Sequence, residues 1–200
     1  MMTQYIYAFD EGRISMKNLL GGKGANLSEM KRLGLPVPDG FTITTEACID
    51  YLKQNEQLPT EVKTQLIHHL TSFSERTGKS FSSDEDLLLV SVRSGAKISM
   101  PGMMDTILNL GLNDDNVKKL ADKTNDARFA YDCYRRLLQM FGEVVYGIPM
   151  LEFDTYFDDF KNKHNYKNDA DIPADGLQTI CDRFKEIYRE EVYKPFPQEP

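Results

Sequence analysis

Two hundred residues, 40% of them hydrophobic, suffice for one or two packed domains. A net charge of −7 and a pI near 5.0 argue against a general nucleic-acid-binding surface, so any anion site must be made locally from a few cations and backbone N–H groups. The apolar runs fall far short of a membrane span, and Met1-Met2-Thr3-Gln4 begins no signal peptide. Cys48, Cys133 and Cys181 are widely spaced and never in a CxxC, and read as reduced, small core residues of a cytoplasmic protein.

Tyr5 to Phe9 alternates as a β-strand, with Asp10-Glu11-Gly12 as its turn. Leu19-Leu20-Gly21-Gly22-Lys23-Gly24 leads into a short helix, Ala25 to Arg32, expected to bury Leu27 and Met30 and to stop at Gly34. A glycine-rich turn feeding a helix N-terminus offers N–H groups and the positive end of a dipole to a phosphate, and Lys23 adds a mobile charge. A flexible turn with a solvated lysine accounts for the same residues. Gly24 follows Lys23 where a Walker A loop has Ser or Thr, so this is no Walker A loop. Pro36 and Pro38 force an extended path, and Phe41 to Thr44 alternates as a strand. Thr45 is placed to cap a helix ending near Lys53. Pro59-Thr60-Glu61 opens another helix, with a stripe of Val62, Leu66, Leu70 and Phe73, ended by Thr77-Gly78.

Leu87 to Val92 is apolar enough for a strand buried on both faces, and Arg93 stands where it should end, before Ser94-Gly95-Ala96. A guanidinium there is costly unless it meets an anion of matching fork geometry, either a polyphosphate or the carboxylate of a structural ion pair. The Met-rich loop Ser99 to Thr106 follows, then apolar Ile107 to Leu112. Together they read as one wall of a phosphate pocket. Beyond Leu112 helical periodicity takes over. A short helix is capped at Asn113 and ends near Lys123, and a long one starts at Asn125 or Asp126 and carries Phe129, Tyr134, Leu137, Leu138, Phe141 and Val145. After Gly147-Ile148-Pro149 a third carries Phe153, Tyr156, Phe157 and Phe160; a polar loop spans Asn162 to Asp171. Pro173 opens a fourth, with Leu177, Ile180, Phe184 and Ile187 inward. The expected division is an α/β unit at 1–112 and a helical unit at 113–200.

His68, His69 and His164 have no metal-ligand spacing, and no nucleophile elbow or Cys/His signature occurs. The acidic pairs sit at turns and helix starts, where capping explains them. Arg135-Arg136 reads as a helix-face pair engaged with acids.

The stretches FDEGRISMKNLLGGKGANLSEMKRLGLPVPDGFTITTEAC (Phe9 to Cys48) and LLLVSVRSGAKISMPGMMDTILNLGLND (Leu87 to Asp114) closely resemble the start of the pyruvate, phosphate dikinase family. RFAYDCYRRLLQMFGEVV (Arg128 to Val145) and the closing FPQEP are similar to it as well. Phosphoenolpyruvate synthases share a GGKGANLGEM-like loop and an SVRSSA-like strand end but lack the MPGMMDTILNLG continuation. The resemblance implies an α+β chain: an ATP-grasp-type N-terminal α/β subdomain followed by an all-helical subdomain. It implies ATP and Mg²⁺, with phosphorylation of a histidine on a swivelling central domain and passage of that group to pyruvate, giving phosphoenolpyruvate, AMP and pyrophosphate. Lys23 and Arg93 correspond to the polyphosphate ligands, folded around one triphosphate tail, with Gly22, Gly24 and Met103 as secondary contacts. The TSHAA-like phosphohistidine motif is absent, and the acidic Mg²⁺ ligands and pyruvate site are implied to lie beyond Pro200. The chain is therefore expected to be a truncated piece, inactive alone, of a cytoplasmic homo-oligomer whose other domains are its partners, with no role for nucleic acid or membrane. A synthase-like fragment and a stand-alone nucleotide-binding or interaction module are the alternatives.

Overall fold

The computed structural model describes residues 3–82, 86–95 and 105–199. The chain divides into two compact units, one of residues 1–79 and 94–104, the other of residues 80–93 and 105–200. Residue 112, the division expected from the onset of helical periodicity, lies inside the second unit. The fold class is mixed: helices dominate, with two small antiparallel sheets.

In the first unit β1 (Ile6–Ala8) pairs with β2 (Phe41–Ile43), Tyr7 opposite Thr42. The turn after β1 is fixed by Glu11, whose Oε2 accepts the Ala8 N–H at 2.7 Å. Gln65 Oε1 accepts the N–H groups of Tyr5 and Ile6 at 2.7 and 3.2 Å, which satisfies donors that β2 does not reach. Helix α1 spans Lys17–Arg32, α2 Thr45–Lys53 and α3 Thr60–Thr77. Thr44, one residue before the expected cap, is the N-cap of α2: its hydroxyl accepts from Ala47 N–H at 3.3 Å. Helix α3 begins after Pro59 and closes on left-handed Gly78, and its stripe buries Val62 and Phe73 with Leu66 and Leu70 half-buried.

Helix α1 starts eight residues before the expected Ala25, and its inward face differs from the expectation. Leu20, Gly24, Ala25 and Ser28 are buried, whereas Leu27 is half-buried and Met30 is 41% exposed. The small residues decide this, because only a face without bulk lets the helix lie against β2.

In the second unit β3 (Val90–Arg93) pairs antiparallel with β4 (Thr106–Leu110), Arg93 opposite Thr106, with an irregularity between Val90 and Val92. This overturns the expected strand buried on both faces. A two-stranded antiparallel ribbon covers one face and leaves the other open. Leu88, just ahead of β3, is buried, but Val92 is 47% exposed and Arg93 lies in the open. Helices α4 (Asn116–Thr124), α5 (Ala127–Tyr146), α6 (Met150–His164) and α7 (Ala174–Val192) carry most of this unit's core. Asp126 caps α5 through Phe129 N–H at 2.9 Å, and Gly147 ends it in the left-handed region. Tyr134, Leu137 and Leu138 of α5 pack with Phe153 and with Leu177, Ile180, Phe184 and Ile187 of α7. Phe129 and Val145, expected inward, are 46% and 49% exposed. Cys48, expected in a core, is exposed, while Cys181 is buried.

Arg135 is buried and held by Asp132 Oδ1 at 2.9 and 3.0 Å and by Gln139 Oε1 at 3.2 Å, with its guanidinium carbon 4.6 Å from the Phe157 ring centre. Arg136 reaches Asp132 Oδ2 at 3.0 Å, so the expected engagement of this arginine pair with an acid is present. The tail after α7 folds back. Phe196 is buried among Tyr134, Phe141 and Tyr188, Gln198 Oε1 accepts the Asp114 N–H at 2.9 Å, and Asn113 Nδ2 donates to the Gln198 carbonyl at 2.7 Å. Asp114 also accepts from Tyr134 and Lys185, at 3.0 and 2.7 Å. Among the described residues, no helix is long and apolar enough to cross a membrane.

Candidate phosphate-binding site

Gly21 takes φ 70°, ψ 170° inside α1, a conformation open to glycine, and breaks the helix in two. The helical run therefore restarts at Gly22, and Gly22, Lys23 and Gly24 form the first turn of the restarted segment. Such a turn has N–H groups with no partner inside its own helix and carries the positive end of the helix dipole. The expected glycine turn feeding a helix N-terminus is thus present, three residues earlier than placed.

Gly24 has a steric duty as well. A Cβ there would stand 2.7 Å from both Oγ1 and Cγ2 of Thr42 on β2. Gly24 fixes how closely the lysine-bearing turn lies on the sheet. Farther along α1, Lys31 is ion-paired with Asp39, and Arg76 Nε of α3 stands 3.5 Å from the same carboxylate. The Lys31 hydrogen bond, seconded by Arg76, holds the Asp39 carboxyl below the usual carboxylate range despite partial burial. This clamp ties α1, the proline-rich segment and α3 together. The pair Lys31–Asp39, eight residues apart across an extended stretch, has no periodic signal in the sequence, which is why it was not expected.

The Lys23 ammonium donates to the Ser94 carbonyl at 3.0 Å. No carboxylate pairs with Lys23 among the described residues. Arg93, in the other unit, ends β3 exposed, its Nε 3.4 Å from Ser91 Oγ. It too lacks a carboxylate partner among the described residues, so the structural ion pair weighed for it is not found there. Arg93 does not end a buried strand, so the burial cost expected from the sequence does not arise: the guanidinium is exposed. Met103 and the loop from Ser99 to Met104 lie outside the described residues. Among the described residues no group of three or more His, Cys, Asp or Glu is placed to hold a metal ion.

The family model described as pyruvate phosphate dikinase, AMP/ATP-binding domain, matches residues 17–57, the stretch from the start of α1 past the end of α2. The chain is 50% identical over 200 residues to pyruvate, phosphate dikinase of Clostridium symbiosum, covering all of this chain and 23% of that enzyme. It is 45% identical over 207 residues to the enzyme of Giardia intestinalis, again covering 23% of it. Against the chloroplastic enzyme 1 of Arabidopsis thaliana the identity is 47% over 190 residues, 95% of this chain and 20% of the relative. The chain spans less than a quarter of the length of these relatives. Along its whole length the chain is similar to the pyruvate, phosphate dikinases, and the match to the model of their AMP/ATP-binding domain falls on residues 17–57.

Proposed function

We propose that this chain forms part of an ATP site, and that Lys23 and Arg93 take the polyphosphate of ATP. The observation that carries the reading is that both cations are unmatched by carboxylates among the described residues, with Lys23 on a glycine-made helix start. The N–H groups of Gly22 and Gly24 add neutral donors beside Lys23, and Met103 is proposed to lie against the nucleotide. Phosphoryl transfer rests largely on placement and charge neutralisation, which a lysine and an arginine supply without taking part covalently.

In the parent enzyme the proposed reaction is that of ATP, phosphate and pyruvate giving AMP, pyrophosphate and phosphoenolpyruvate through a phosphohistidine outside these residues. Mg²⁺ would accompany ATP as its counter-ion. The ATP-grasp arrangement, a cytoplasmic setting and a homo-oligomeric parent belong to the same proposal, as does the inability of these residues to turn over alone. The test separates the two halves of the reaction in a full-length dikinase carrying Lys23→Ala. ATP-dependent formation of the phosphoenzyme should fall about tenfold to a hundredfold, the loss of one or two charge-assisted hydrogen bonds. Exchange between pyruvate and phosphoenolpyruvate should persist. Unchanged ATP-dependent phosphorylation would refute the assignment.

A further inference from the structure

We propose that a second, separate site binds an organic cation of the guanidinium type, in the cleft between the end of α6 and the first turns of α7. The cleft holds about 510 Å³, room for a side-chain-sized group. One wall is aromatic. The rings of Phe160 and His164 lie 4.2 Å apart, and Tyr166 is tilted by 26° from Phe160 and by 13° from His164. The Phe160 ring lies over the start of α7: a Cβ on buried Gly176 would stand 3.4 Å from it, an ordinary contact, and 3.0 Å from Ile172 Cγ2. The contact of 2.8 Å between His164 Nδ1 and the Phe160 carbonyl fixes the imidazole in the stack.

Two carboxylates, those of Asp159 and Asp175, line the same cleft. Neither has a hydrogen-bond or ion-pair partner among the described residues. The neighbouring acids contrast with them: Asp158 and Asp169 both hold Lys161, at 3.0 and 2.9 Å, and Asp171 accepts from Asn168 N–H at 2.8 Å. Lys163 also lines the cleft and stands one helical turn from Asp159, yet the two do not pair. Electron-rich ring faces beside unmatched carboxylates favour a delocalised, weakly hydrated cation that can stack and donate in a fork at once. An anion would meet Asp159 and Asp175, and a neutral ring would leave both unanswered.

The test is an NMR titration of the 200-residue chain with argininamide, following the ring signals of Tyr156, Phe160 and Tyr166. Saturable shifts with millimolar affinity are expected, weakened at least tenfold in Asp159→Asn/Asp175→Asn and strengthened in Lys163→Gln. All three positions are exposed, and an unchanged amide spectrum verifies folding. A blocked Gly-Arg-Gly peptide run in parallel distinguishes the source: tighter binding than argininamide points to an arginine side chain of another protein, equal binding to a free small cation. The proposal is overturned if argininamide causes no saturable shift, if the double variant binds as tightly, or if inorganic phosphate or AMP moves these rings where argininamide does not.

Discussion

The missing Cβ of Gly24 is the counterpart of Thr42: built in place, it would stand 2.7 Å from both branches of the threonine side chain. Gly24→Ala must therefore push α1 away from β2 or distort Thr42. The expected cost is about 1–3 kcal/mol, the range for overpacking a tight contact. Thr42→Ala removes both crowding atoms, so Gly24→Ala/Thr42→Ala should recover part of the loss in a urea-unfolding double-mutant cycle. Strict additivity of the two changes would show that the contact does not set the spacing.

Arg135 should be the costliest charge to remove from the helical unit. Its partners Asp132 and Gln139 are held with it in a largely dry environment, and Gln139 in turn donates to Asp154 at 2.8 Å on α6. Arg135→Ala leaves Asp132 with only the exposed Arg136, takes one hydrogen bond from Gln139 and uncovers the Phe157 ring, at about 1–3 kcal/mol. Arg136→Ala, whose side chain is 55% exposed, should stay within about 1 kcal/mol. Chemical denaturation compares the two directly.

Acid should loosen the first unit through Asp39. Its folded pKa is depressed, chiefly by the Lys31 hydrogen bond, so its contribution is present above the unfolded value of about 3.9 and is lost as pH falls through the folded value. Asp39→Asn should lower stability at neutral pH and flatten the remaining fall on acidification. Parallel pH profiles of the urea midpoint in the two proteins would remove Asp39 from the explanation.

If Arg93 grips phosphate by its fork, Arg93→Lys in a full-length dikinase should retain little of the function. A single ammonium keeps the charge but loses the paired donors. ATP-dependent AMP release should fall about tenfold or more in Arg93→Lys and further in Arg93→Ala. Equal, wild-type-like rates in both variants would assign Arg93 a surface role instead.

The residues reveal the helices more faithfully than the strands. Stripes such as Leu177, Ile180, Phe184 and Ile187 repeat over several turns, and Gly78 and Gly147 end helices in the left-handed conformation their chemistry allows. The Leu87 to Val92 run misled because apolar content alone does not distinguish a strand covered twice from one face of a ribbon. For α1, large apolar residues were taken as the inward face, whereas close approach to Thr42 selects the small ones. At the candidate site Lys23 and its glycines were legible from composition. The Ser94 carbonyl and the Asp39 clamp were not, because each joins residues whose spacing carries no period.

The grip of Asn113 and Asp114 on Gln198 means that a helical excursion of more than eighty residues departs and returns at a single place. Topologically it is an oversized loop. It is not a detachable one, because Ile107 and Leu112 of the preceding chain share a core with Val117, Tyr134 and Leu138, and cutting the excursion out would strip that ribbon of its cover.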